Sequence, residues 1–269
     1  MAFFVDQLGR SIELLHSPQR IVSVVPSQTE LLFDLGVIDK VVGITKFCVH
    51  PLDWYRTKTR IGGTKQLDLN KIKEFAPDLI IANKEENVRE QIEELAKDFP
   101  VWISDVDNLY SALSMIRGIG KITSRELQAK EIIHQIQLRF SQIPIINVQP
   151  RTCYLIWKDP FMTVGADTFI NDMLKCAGFQ NVFENQIRYP ELSFDHLKTA
   201  NCNVILLSSE PYPFKEKHAR ELQSFLPNTK IILVDGEMFS WYGSRLIKAP
   251  AYFQQLQNQI LSLKNARGS

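Results

Sequence analysis

Two apolar signatures alternate along this chain. The first is a run of four to seven mostly apolar residues: IVSVV at 21–25, VVGIT at 41–45, LIIAN at 79–83, VWIS at 101–104, CYLIW at 153–157, VILLSS at 204–209 and KIILVDG at 230–236. Such runs lack the in-and-out alternation of a half-exposed strand and suit strands covered on both faces, as in a parallel sheet. The second signature recurs every three or four residues. It predicts helices over 30–36, closed by Gly36, and over 69–75, 86–98, 168–176, around Asp195, over 215–225 and through the last segment to about 263. Ser27-x-x-Glu30 matches a capping box at the start of the first of these. Residues 3–15 predict a hairpin around a glycine-containing turn. Strand and helix alternating in this order describe a doubly wound α/β lobe, and the order occurs twice.

Between the two repeats lies the longest helical pattern. Leu109, Leu113, Ile116, Ile119, Leu127, Ile132, Ile133, Ile136 and Phe140 fall at helical spacing. At ~1.5 Å per residue the stretch would reach ~45 Å. The expected organisation is therefore an N-terminal α/β lobe over 1–108, one long rigid linking helix over 109–142 and a C-terminal α/β lobe over 143–269. The working surface is expected in the cleft between the lobes.

Composition narrows the partners. The 269 residues are 45% hydrophobic, enough for one large or two medium cores. The 31 Lys+Arg nearly balance the 30 Asp+Glu, so no global field gathers nucleic acid or an acidic membrane. No apolar run approaches the ~20 residues of a membrane span, which argues against direct membrane insertion. Cys48, Cys153, Cys176 and Cys202 form no C-x-x-C pair. A structural disulfide and buried free thiols are both open readings. The N-terminus has no basic flank, long apolar core or small-residue cleavage site, so no export signal is expected in the chain as given.

RIVSVVPSQTELLFDLG with its upstream VDQLGRSIEL, then KIKEFAPDLIIAN, then TVGADTFINDMLKCAGFQNVF, resemble the class III, helical-backbone substrate-binding proteins of ABC importers. These are the receptors for vitamin B12, ferric siderophores and haem. The similarity covers nearly the whole chain. It implies a non-enzymatic periplasmic or lipid-anchored receptor that takes a metal chelate as transported ligand, with no permanently bound cofactor, and delivers it to an ABC permease dimer. Members dock on the permease through one acid on each lobe. Carried over by position, these fall on Asp195 in LSFDHL and on Asn70 in LDLNKIKEF, where the chain departs from the family's usual Glu.

The candidate ligand residues sit in predicted loops and at strand ends. Phe47 stands where the resembling B12 receptors place an aromatic against the corrin, and Thr64 and Asn83 stand where those often carry tryptophan. Asn83 also ends the strand LIIAN, at the edge where doubly wound sheets bind ligands. Glu86, just beyond it, reads as a helix-start acid. Trp157, Tyr189, Trp241 and Tyr242 offer flat faces suited to a planar macrocycle. Arg245 in SWYGSRL matches an arginine the resembling receptors keep near the ligand, and a guanidinium fork suits carboxylate or amide oxygens. Cys48 and His50, two residues apart, are the candidate metal ligands. Gly62-Gly63 reads either as an anion-holding turn or as a plain tight turn.

A second reading stays open beside the importer component. It is a cytosolic metal- or tetrapyrrole-handling protein, a chelatase-like enzyme or sensor on the same architecture, with Cys48, His50 and Glu85 handling the metal. A true start at Met1, with Asn70 in place of the docking acid, would favour it; a leader removed before the chain as given would favour the importer component. No G-x-S-x-G, H-E-x-x-H or dinucleotide fingerprint supports hydrolytic or redox chemistry.

Overall fold

A computed structural model describes residues 1–265 and divides the chain into two compact units. The first comprises Met1–Val106, Tyr110–Ile136 and Trp241–Arg245; the second comprises Asp107–Leu109, Gln137–Ser240 and the chain from Leu246 onward.

In the first unit, β1 (Ala2–Val5) and β2 (Ser11–Leu14) form the expected antiparallel hairpin. The apolar runs then become β3 (Ile21–Ser23), β4 (Val41–Ile44), β5 (Thr59–Arg60), β6 (Leu79–Asn83) and β7 (Val101–Ser104). They pair in parallel in the order β5-β4-β3-β6-β7. The chain enters at the middle strand, winds outward one way, then returns to wind the other way. The switch point lies between β3 and β6, and the crevice at their carboxyl ends is where such sheets hold ligands. Every residue of β3 and β6 is buried, which is why their sequences are unbroken apolar runs. Helices α1 (Pro26–Asp34), α2 (Leu52–Thr57), α3 (Leu69–Glu74) and α4 (Arg89–Leu95) connect the strands.

The stretch expected as one helix over 109–142 is two: α5 (Leu109–Ile122) and α6 (Glu126–Phe140). Between them Ser124 takes a left-handed φ of 56°. The Arg125 N–H donates to the Gly120 carbonyl and the Ser124 N–H to the Lys121 carbonyl, a Schellman ending that terminates α5. Gly120 makes the turn tight, because a β-carbon there would lie 2.4 Å from the Ala129 β-carbon of α6. The break resets the helical phase. Ile116, Ile119, Ile132, Ile133 and Ile136 are buried, but Leu127, expected on the same stripe, is 77% exposed.

The second unit has a parallel sheet of β8 (Arg151–Leu155), β10 (Gln180–Asn181), β12 (Val204–Ser208) and β13 (Lys230–Val234), in the order β10-β8-β12-β13. Its switch point lies between β8 and β12. A short antiparallel pair, β9 (Phe161–Met162) and β11 (Glu191–Leu192), lies outside that sheet. Helices α7 (Phe169–Cys176), α8 (Phe194–Thr199), α9 (Glu216–Phe225), α10 (Glu237–Ser240) and α11 (Ala249–Asn265) complete it. Thr168 caps α7 by accepting from the Asn171 N–H. Cys153, Leu155, Leu197, Ile205, Leu207 and Leu222 belong to its core.

Helix propensity alone favours Ala over Gly at position 120 by about 1 kcal/mol. The Ala129 contact opposes this with an overpacking cost of about 1–3 kcal/mol. Gly120→Ala is expected to lower the urea midpoint at unchanged slope; a raised midpoint would show that α5 and α6 yield at this contact.

Candidate functional site

The switch point of the first unit is built from strand ends tied by side chains. Asn83, ending β6, accepts the Glu85 and Glu86 N–H groups on Oδ1 (2.8 and 2.9 Å) and donates through Nδ2 to Ser104 Oγ (2.9 Å). Asn87 reaches across the switch point and donates to the carbonyls of Val24 (3.2 Å) and Thr64 (3.1 Å). Asn83, expected to face a ligand, is thus 3% exposed with both ends of its amide engaged. Thr64 is half-buried and held by its backbone.

Helix α1 starts without a side-chain cap, with Pro26 in its first turn. The expected Ser27-x-x-Glu30 capping box does not form, because the helix starts earlier, with Val25 as its N-cap and Ser27 already inside it, and Glu30 is committed elsewhere. Its carboxylate accepts two hydrogen bonds from Arg245, from Nε to Oε2 and from an Nη to Oε1, both 2.8 Å. The two side chains are 6% and 9% exposed. This fork geometry is what lets a buried pair offset its desolvation cost.

Arg245 belongs to the segment Trp241–Arg245, which contacts group with the first unit although its flanking sequence lies in the second. Three further contacts hold this strap. The Tyr242 hydroxyl donates to Glu86 Oε1 (2.7 Å). Gly243 packs so closely on the Ser27 carbonyl that a β-carbon would come within 2.5 Å of it. The Trp241 ring lies under the Arg245 guanidinium (4.8 Å to the centroid) and meets the His50 ring nearly edge-on (5.5 Å, 73°). Burial, then the Glu86 charge, then the Glu86 hydrogen bond hold the Tyr242 phenol well above its usual pKa.

The site residues expected from sequence therefore divide. Trp241, Tyr242 and Arg245 come together with Glu30 and Glu86, the two acids whose roles sequence reasoning missed. Phe47 lies on Gly63 and is half exposed, with Lys46 Nζ 5.2 Å from its ring centroid. The Gly62-Gly63 segment is a tight turn, closed by reciprocal hydrogen bonds between Gly63 and Gln66. Cys48 corrects its expected role. It is fully buried, its Sγ lies 3.1 and 3.2 Å from the hydroxyls of Thr29 and Thr45, and burial pushes its pKa up. Enclosed by two hydroxyls in the core, the thiol packs as a small buried group. Among the described residues no three His, Cys, Asp or Glu side chains gather into a metal site. The four cysteines are free thiols.

In the second unit, Trp157 follows β8 at that unit's own switch point. It is 40% exposed and packs edge-on against Tyr212 (5.6 Å), which meets Phe214 (4.8 Å) and His218 (5.5 Å) at steep ring angles in turn. Tyr189 is half-buried under the Arg188 guanidinium (5.4 Å). Asp195 lies exposed in the first turn of α8. Asn70 lies exposed on α3, next to Leu69, while Asp68 is spent capping that helix.

Two parallel doubly wound sheets define the class of fold as α/β. The chain belongs to the periplasmic binding protein family, whose model matches residues 21–230. It is 22% identical over 250 residues to a vitamin B12-binding protein of Yersinia pestis, covering 91% of this chain and 87% of that one. Among solved structures it is similar to the periplasmic heme-binding protein BhuT in complex with two hemes, with a TM-score of 0.79 at 19% identity, covering 91% and 100% of the two chains. It is also similar to the periplasmic catecholate-siderophore binding protein VctP of Vibrio cholerae, with a TM-score of 0.77 at 17% identity over 95% and 99%.

Burial raises the pKa of Tyr154 and Tyr252 as well as Tyr242. A phenol whose pKa is raised by folding stabilises the fold below its unfolded pKa of ~10 and loses that contribution as pH climbs toward the folded value, at about 1.4 kcal/mol per pH unit per group. Alkaline titration should show a tyrosinate step that coincides with loss of helical circular dichroism. Tyr242→Phe should remove one equivalent from that step; a Tyr242 ionising near pH 10 in the folded chain would contradict the buried Glu86 contact.

Proposed function

We propose that this chain is the substrate-binding component of an ABC importer and captures a metal chelate of the cobalamin, haem or ferric siderophore kind. The observation that carries the reading is the family match over residues 21–230, joined to aromatic side chains at both switch points. Relatives along nearly the full chain are named for vitamin B12, haem and catecholate siderophores, all large chelates with flat or aromatic parts. Recognition needs shape and stacking, and no group poised for bond making enters it. On the first unit we assign Phe47 as the ligand-facing aromatic, with Trp241 as the wall behind it. Asp195 is the docking acid for the permease, and Asn70 supplies a neutral contact where a second acid is usual. One charged anchor instead of two is expected to slow encounter more than it weakens the complex. Work on the outer side of a membrane, as a periplasmic or lipid-anchored receptor, follows from the same reading.

The test is a titration of the purified chain with cyanocobalamin, haem, a ferric catecholate and Zn²⁺, followed by tryptophan fluorescence and calorimetry. One chelate should bind at one equivalent. Phe47→Ala should weaken it by roughly tenfold or more, the scale of a truncated aromatic anchor. Trp157→Ala and Tyr189→Ala, in the second unit, enter the same titration as independent variants. Zn²⁺ binding that disappears in His50→Ala, with silence toward every chelate, would overturn the receptor reading in favour of metal handling.

A further inference from the structure

The strap Trp241–Arg245 carries the guanidinium that sequence resemblance assigns to a ligand's oxygens. Its geometry says otherwise. Arg245 Nε and one Nη are directed to the two oxygens of Glu30 at 2.8 Å, and the guanidinium carbon lies over the Trp241 ring, 4.8 Å from its centroid. The guanidinium is thus committed inside the protein both to the carboxylate and to the indole, at 6% exposure. The partner carboxylate lies 215 residues away in sequence, on a helix whose own start it leaves uncapped.

We infer that Glu30 and Arg245 are positioning residues: together they hold the Trp241 ring, and through it the His50 side of the 47–50 loop, in the orientation that meets the ligand. Glu30 sets the guanidinium plane by bidentate pairing, which a lysine could not reproduce. The guanidinium in turn holds the indole through the cation–π contact at 4.8 Å. The indole then stands edge-on to His50, three residues from Phe47. Tyr242 on Glu86 and Gly243 on Ser27 fix the backbone between the two ends of this relay. The inference rests on the proposed receptor function only for its binding arm.

Glu30→Gln separates positioning from direct contact by sign. It keeps Arg245 in the chain and frees it from a carboxylate. An arginine that touches an anionic chelate directly would then bind that chelate as well or better. A positioning arginine loses its orientation, and binding is expected to weaken by roughly ten- to hundredfold, the range typical of groups that orient a contacting residue from behind. Arg245→Lys should weaken binding to a similar degree. Binding that is unchanged or tighter in folded Glu30→Gln overturns the inference.

A second readout needs no ligand. The emission of Trp241, isolated as the difference between the chain and its Trp241→Phe variant, is expected to shift in Glu30→Gln and in Arg245→Lys, while circular dichroism shows both variants folded. An unchanged Trp241 difference spectrum also overturns the inference. If the unsubstituted chain binds none of the chelates, the receptor reading fails, and this ligand-free arm still decides the relay. Should Glu30→Gln not fold, Arg245→Lys, which keeps the buried charge balance, carries both arms.

Discussion

The buried ion pair between Glu30 and Arg245 is the constraint on which the first unit's site depends. An unpaired carboxylate at that depth would carry a desolvation penalty of several kcal/mol, and so would an unpaired guanidinium. Neither residue is tolerable without the other. The pair therefore selects the arrangement in which the five residues 241–245 lie on α1, and it does so with directional bonds that an apolar contact lacks. Ser27, Gly243 and Tyr242 make sense only in that arrangement: the glycine permits the close approach, and the tyrosine hydroxyl meets Glu86.

Both switch points use one device to stiffen a strand end. Short polar side chains satisfy backbone groups that the sheet no longer pairs. Asn83 and Asn87 do this after β6. After β12, Ser208 Oγ donates to the Glu210 carbonyl, Ser209 Oγ accepts the Gly236 N–H, and the Glu210 carboxylate accepts from Ser240. Loops tied in this way present their aromatics without first having to be ordered, which removes part of the entropic cost of binding.

The fold was largely legible because buried parallel strands write themselves as largely apolar runs: IVSVV, LIIAN and VILLSS each contain a strand of the two sheets, and CYLIW overlaps one. The helix break at 123–125 was not, since Ser124 in a left-handed conformation lacks the glycine that usually announces such a turn. The site was half legible. Trp241, Tyr242 and Arg245 stood out as unusual loop residues, and they do cluster. Their acidic partners did not stand out. Glu30 sits at a capping-box position and Glu86 at a helix start, so local rules gave each a sufficient explanation. Only tertiary pairing across 215 and 156 residues overrides those rules. Cys48 shows the converse: spacing to His50 suggested ligation, and nothing in spacing reports that Thr29 and Thr45 enclose the thiol.

These pairings also change what kind of recognition the first unit can perform. Arg245 is neutralised by Glu30, and Tyr242 donates to Glu86, so the polar ends of the strap are closed on acids of the protein itself. The cation at the open aromatic face is Lys46, exposed beside Phe47. A solvated ammonium is screened by salt and weakly directional, whereas a buried fork would have imposed a carboxylate geometry on the ligand. Selectivity on this unit consequently falls to the shape and stacking of the aromatic wall. On the proposed receptor reading, a chelate would then be distinguished by the outline it offers Phe47 more than by the number of its acidic groups.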